Sequence, residues 1–141
     1  MFRTLIVLTV GIGIGVCGTM AAHDPNDGEK VKTLSARDIK ENLDGKEAMA
    51  TVVEVTIEPG QVGLPHRHPG PGFGYVLEGE YELGINDQPT KVLKAGETFY
   101  EPTGCLHRVS KNPGKVKTRV IAVVLHPRDA KQIAVPETKK D

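Results

Sequence analysis

The chain opens on a long apolar run. Residues 5–16 are apolar except for Thr9 and three glycines; Arg3 precedes them and small residues follow, with Thr19 and Ala21 placed to suit signal-peptidase cleavage. Residues 1–22 therefore have the layout of a secretory signal peptide. The run is shorter than the ~20 residues a membrane span needs and is rich in glycine, which favours cleavage over a retained anchor. Lipid attachment at Cys17 is a third route, although Ile14-Gly15-Val16 poorly fits the pattern expected before a lipidated cysteine. Residues 23–31, HDPNDGEKV, are polar and carry Pro and Gly, so they read as a flexible lead-in with His23 as a solvated residue.

Beyond residue 32 the apolar positions shorten to strand-like periods. Residues 50–57, ATVVEVTI, are β-branched and partly alternating, and Glu58-Pro59-Gly60 ends that strand. Residues 73–77 form a second. Tyr81, Leu83 and Ile85 alternate with polar residues after a turn near Gly79, and Asn86-Asp87-Gln88-Pro89 makes the next turn. Short strands follow at 90–93, 97–101 and 107–110, then a long apolar one at 117–125. Residues 33–43 are a strand or a short helix, since Ser35 with Asp38 resembles a helix start. Residues 136–141 are a polar, loose tail. Short, evenly spaced strands divided by turn signals predict an all-β sandwich or barrel, a single domain over residues 32–135.

Composition narrows the class. The 141 residues include 16 Gly and 10 Pro, in keeping with many turns. Lys plus Arg (18) balance Asp plus Glu (18), aromatic residues make up 4%, and no face is strongly basic, so nucleic acid is not an expected partner. Cys17 falls in the leader, so cleavage leaves Cys105 with no partner for an internal disulfide. The fold must then stand on its core.

The chemistry lies in the histidines. His66 and His68 are two apart, and in extended chain such residues share a face; His107 falls on a later strand that a barrel can bring opposite. Three neutral imidazoles suit a divalent ion such as Fe, Zn, Mn or Ni. Around them run Gly60-x5-His66-x-His68 followed by Gly79, and Gly96-x5-Pro102-x-Gly104-x2-His107. This pattern resembles the two motifs of the cupin family, G-x5-H-x-H-x(3,4)-E-x6-G and G-x5-P-x-G-x2-H-x3-N, with the final Asn one place late as Asn112. The resemblance covers about residues 50–126. It implies a small jelly-roll barrel with a metal at its centre, often paired into a dimer.

One departure matters. The family's glutamate ligand falls on Gly72, which cannot ligate. The resemblance then implies a first shell of His66, His68 and His107 with open positions, as in catalytic metal sites, and the lost negative charge favours an anionic ligand on the metal. If position 72 faces inward, so do Gly74 and Val76. The two glycines either open a substrate pocket or only relieve a turn or bulge. Phe73, Tyr75 and Leu77 then face the second sheet or a partner subunit, which is compatible with a homodimer. Cys105 shares the parity of His107 and is either a pocket residue or a small core hydrophobe. Glu101 and Tyr100 belong at the rim, one of them a candidate acid or base, and His126 belongs at the barrel end. The expected protein is thus an exported, periplasmic or secreted metal-binding barrel with a small-molecule ligand and no membrane contact after cleavage. It is an Fe(II)-type oxygenase of a small organic molecule, a non-enzymatic binding barrel, or a metal-free structural barrel.

Overall fold

The computed structural model describes residues 28–137, and they form strands. In order these are β1 (Lys30–Leu43), β2 (Lys46–Ile57), β3 (His66–Arg67), β4 (Gly72–Glu78), β5 (Glu80–Ile85), β6 (Lys91–Lys94), β7 (Thr98–Glu101), β8 (Leu106–Lys111), β9 (Thr118–Pro127) and β10 (Val135–Pro136). They pair antiparallel into two five-stranded sheets, ordered β1-β2-β9-β4-β7 and β10-β3-β8-β5-β6. This is the double-sheet jelly roll expected from the strand spacing.

Residues 33–43 are strand, and the helix alternative is overturned. They lie inside β1, which pairs with β2 from Lys30↔Thr56 to Leu43↔Lys46. The β-branched β2 offers a continuous ladder, and that long-range pairing outweighs the local cap signal at Ser35 and Asp38. The leader 1–22, with Cys17, and His23 lie outside the described residues. Strand pairing runs past both ends of 32–135. β1 starts at Lys30, and Pro136 pairs with His66. Arg67 grips the Glu137 carboxylate through Nε and Nη2, at 2.9 and 3.2 Å.

Alternation sorts the side chains. In β4, Gly72, Gly74 and Val76 are buried while Phe73, Tyr75 and Leu77 are 49%, 44% and 40% exposed, the parity read from the sequence. One core cluster joins the sheets: Ile57, Val76, Tyr81, Leu83 and Val120, with Phe99 packed against it. Val76 therefore belongs to the core and does not line a substrate pocket.

The two inward glycines of β4 make room for the facing strand. β4 and β7 pair as Gly72↔Glu101 and Gly74↔Phe99. A Cβ on Gly74 would lie 1.9 Å from Phe99 Cζ, and one on Gly72 would lie 2.8 Å from Glu101 Oε2. On the inward side the volume the glycines leave is filled by Phe99 and Glu101, while Gly74 also lines a depression on the other face of the sheet. Gly79 is needed for a different reason: its φ is 76°, a region that side-chain-bearing residues avoid.

Gly74→Ala is expected to destabilise the fold by about 1–3 kcal/mol, the range for overpacking, in urea unfolding. Phe99→Leu in the same chain should recover part of that loss. An equal penalty with and without Phe99→Leu would show that the ring is not what fills the space.

Candidate metal centre

His66 ends up opposite His107 because β3 and β8 pair in the register His66↔His107. His68 follows β3 directly, and its carbonyl accepts the Gly104 N–H at 3.0 Å, which ties the second motif's loop to the first motif. The ring centroids lie 4.8 Å apart for His66–His68 and His66–His107, and 6.5 Å apart for His68–His107. Ligand atoms of all three fall within 4.8 Å of one another. The structure thus brings the three sequence-predicted ligands together.

The outer nitrogens of two rings are committed elsewhere. His66 Nδ1 donates to the Leu64 carbonyl at 2.8 Å, and His68 Nδ1 donates to the Ile133 carbonyl. Carbonyls only accept, so each Nε2 keeps its lone pair for the interior. These two Nε2 atoms sit 3.2 Å apart. His107 is held by a relay. Ser110 Oγ donates to Glu29 Oε2 at 2.7 Å and Tyr81 Oη donates to Ser110 Oγ at 3.1 Å. Tyr81 has then spent its proton, so at 3.1 Å its oxygen accepts from His107 Nε2. His107 Nδ1 is left with a lone pair.

Glu101 completes the cluster. It is 2% exposed, with Oε2 3.3 Å from His68 Nε2 and Oε1 2.8 Å from His107 Nδ1. The second approach lacks hydrogen-bond geometry, and both of those buried atoms have no hydrogen bond. With the rings neutral, their inward nitrogens and the Glu101 carboxylate are acceptors crowded around one point, a fitting cage for a cation. An ion bound at about 2.1 Å holds neighbouring donors roughly 3.0–3.4 Å apart, close to the 3.2 and 3.3 Å around His68 Nε2, while the histidine ligand atoms span up to 4.8 Å. The three histidines can hold a metal ion, and the donor set suits one.

Burial lowers the His66 pKa to about 4, so this ring is neutral and free to ligate at pH 7. Burial also pulls His68 down, but the hydrogen bond and charge of Glu101 outweigh it and leave His68 raised. Burial pushes Glu101 up, yet His107 and His68 outweigh it and hold the carboxyl at about 2. Glu29 is raised, chiefly by burial.

One of the remaining expected placements changes and the others keep their places. Glu101 is not at the rim, whereas Tyr100 is 55% exposed. Cys105 is buried and unpaired, but lies outside both the histidine cluster and the adjoining cavity wall. His126 is buried at the end of β9, 2.8 Å from Thr51 Oγ1, away from the cluster. Asn112 anchors the loop after β8, donating to the carbonyls of Ile57 and Val116. With Glu101 and Glu29 both at the site, the preference for an anionic ligand argued from a missing carboxylate no longer holds. Glu29 had no local signal in a polar segment. Two glycines admit it, since a Cβ on Gly63 would lie 2.4 Å from its Oε2, and one on Gly28 would lie 1.7 Å from the Val62 carbonyl oxygen.

The cavity beside the histidines measures about 90 Å³ and is lined by Glu29, His66, His68, Tyr81 and Ser110 together with aliphatic side chains. A larger depression, about 610 Å³, lies on the outer face around Phe73, Tyr75, Phe99, Tyr100, Ile121 and Val123, away from this chemistry.

Comparison with known proteins agrees with fold and site. Residues 53–124 match the model of the cupin domain, and the chain belongs to the cupin family. It is 38% identical over 77 residues to germin-like protein subfamily 2 member 2 of Arabidopsis thaliana, covering 51% of this chain and 35% of that one. It is 43% identical over 72 residues to germin-like protein subfamily T member 2 of the same plant, covering 48% and 32%. The chain thus spans about a third of the length of these relatives. Among solved structures, oxalate oxidase in complex with the substrate analogue glycolate superimposes with a TM-score of 0.58 at 28% identity, over 76% of this chain and 54% of that one. KdgF from Halomonas sp. (TM-score 0.57, 24% identity, 75% and 86% covered) shares the fold.

In metal-free protein, unfolded His66 takes up a proton near pH 6.5, while folded His66 does not until about pH 4. Between these values the unfolded state binds more protons through His66, so stability falls as the pH is lowered. His68 and Glu29, both raised in the fold, have the opposite sign and reduce the decline where they titrate without reversing its assignment to His66. Chelator-treated protein should therefore melt at progressively lower temperature from about pH 6.5 to 4, and His66→Ala should flatten that decline. An unchanged slope in His66→Ala would assign the acid sensitivity elsewhere.

Proposed function

We propose that this chain is an exported, metal-dependent cupin that oxidises a very small organic molecule with dioxygen. The observation that carries the proposal is the convergence of His66, His68 and His107 beside a small cavity of about 90 Å³. That is well below the roughly 300 Å³ of ordinary small-molecule pockets, so the ligand is small. A bound Fe, Mn or similar ion supplies Lewis acidity and a template for the reacting groups. The chain's own residues do the rest. Val53, Val55, Ala122 and Val124 keep the cavity wall apolar, which excludes water, and the Glu29 carboxylate accepts a hydrogen bond from the ligand, orienting it. Likeness to oxalate oxidase supports small-molecule oxidation. Two carboxylates at the site favour a ligand that bears a hydrogen-bond donor over a dianion. Export rests on residues 1–22 and places the protein in the periplasm or outside the cell.

A second reading, a binding barrel without turnover, is favoured by the cover over the site: Glu29 and Val31 from one terminal segment and Ile133 and Ala134 from the other line the same cavity. The exposed apolar face of Phe73, Tyr75, Leu77 and Tyr100 is proposed to pair with a second copy of the chain.

Two measurements test these points. Oxygen uptake is expected with at least one of a panel of small hydroxy acids, alcohols, catechols, diketones and thiols, and is expected to vanish in His107→Ala. Metal-loaded protein that consumes no oxygen across the panel would favour the binding barrel. Light scattering is expected to give the mass of two chains for the wild type and one for Tyr75→Glu; a monomeric wild type would refute the pairing.

A further inference from the structure

We infer that Glu101 is a fourth metal ligand, supplied from β7 in place of the family's glutamate on β4. The inference rests on the metal-dependent reading above and sharpens its ligand set. The family pattern puts a carboxylate at position 72, where this chain has Gly72. Position 72 is paired directly with Glu101 across the β4–β7 ladder. The two positions share one inward-facing spot. A Cβ on Gly72 would come 2.8 Å from Glu101 Oε2 and 3.5 Å from Glu101 Cβ, so a glutamate at 72 and the present Glu101 compete for the same volume. Loss of the side chain at 72 is what lets Glu101 reach the histidines.

Three further observations point the carboxylate at an ion. Glu101 is almost fully buried, and a buried carboxylate requires a compensating positive group. No lysine or arginine supplies it; its contacts among the ion pairs of the described residues are His68 and His107. Its Oε1 and the His107 Nδ1 face each other at 2.8 Å without a hydrogen bond. His107 Nε2–H donates into the Tyr81–Ser110–Glu29 relay, so in the neutral ring the facing atoms are two lone pairs, an arrangement that a shared cation stabilises. Finally, Oε2 lies 3.3 Å from His68 Nε2, itself 3.2 Å from His66 Nε2. The carboxylate is therefore contiguous with all three rings and is not merely behind one of them. Three neutral imidazoles and one carboxylate leave a divalent ion with one net positive charge, and the carrier of the negative charge has moved one strand over.

The test exchanges the two positions. Full-length protein is stripped with chelator and titrated with Mn²⁺ by calorimetry, with circular-dichroism melts run on each variant to confirm folding. Glu101→Ala and Glu101→Gln are expected to weaken Mn²⁺ binding by more than the roughly 10–100-fold that loss of an outer-sphere partner costs. Glu101→Ala combined with Gly72→Glu is expected to restore affinity to near wild type, because the carboxylate returns to the same spot from the other strand. X-ray absorption of the Mn²⁺-loaded proteins should show one light donor fewer in Glu101→Ala than in the wild type. Folded Glu101→Gln that binds Mn²⁺ with unchanged affinity, or an unchanged donor count in Glu101→Ala, would overturn the assignment. A folded exchange variant that stays as weak as Glu101→Ala would also overturn it. Wild-type protein that binds no metal at all would instead remove the metal-dependent reading on which the assignment rests.

Discussion

Three imidazoles and a carboxylate share the interior of this barrel, and taking such groups out of water carries a cost that apolar packing does not return. The structure meets part of that cost by committing each ring on its outer side. The His66 and His68 rings donate outward to the carbonyls of Leu64 and Ile133, and His107 donates to Tyr81. With the rings neutral, what remains inward is a set of lone pairs that a positive charge holds together. Two strand registers hold the set in place: His66↔His107 between β3 and β8, and Gly72↔Glu101 between β4 and β7. A slip of one residue in either ladder would turn a ligand to the outside.

Apolar packing and polar chemistry divide the barrel, and Tyr81 belongs to both. Its ring packs in the cluster with Ile57, Val76, Leu83 and Val120, while its hydroxyl links His107 to Ser110 and on to Glu29. The position of His107 is thereby tied to the core, and the relay ties it to the segment that precedes β1. The two terminal segments are part of the site: one delivers Glu29, and the other delivers the Ile133 carbonyl that orients His68.

Much of this was legible in the chain. Alternation and turn residues placed β2, β4, β5 and β9, and the inward parity of Gly72, Gly74 and Val76 followed from a period of two. The three histidines were legible because their spacing is local in each motif. Three things were not. The strand state of residues 33–43 depends on a partner, β2, that local cap signals ignore. The contents of the space above Gly72 and Gly74 depend on the β4–β7 register, which no local pattern encodes; without it, a missing ligand and a relocated one look alike. Glu29 sits in a polar stretch with no strand signal, and its role arises from Gly28 and Gly63, where two chain segments cross closely enough to exclude a side chain.

Everything here turns on a cation at the meeting point of His66, His68, His107 and Glu101. The most direct measurement is elemental analysis of the protein isolated from its native compartment without added metal. One equivalent of a first-row divalent ion per chain, lost from a folded variant carrying His66→Ala and His107→Ala, is the expected result. Native protein that carries no stoichiometric metal and takes none up would contradict it.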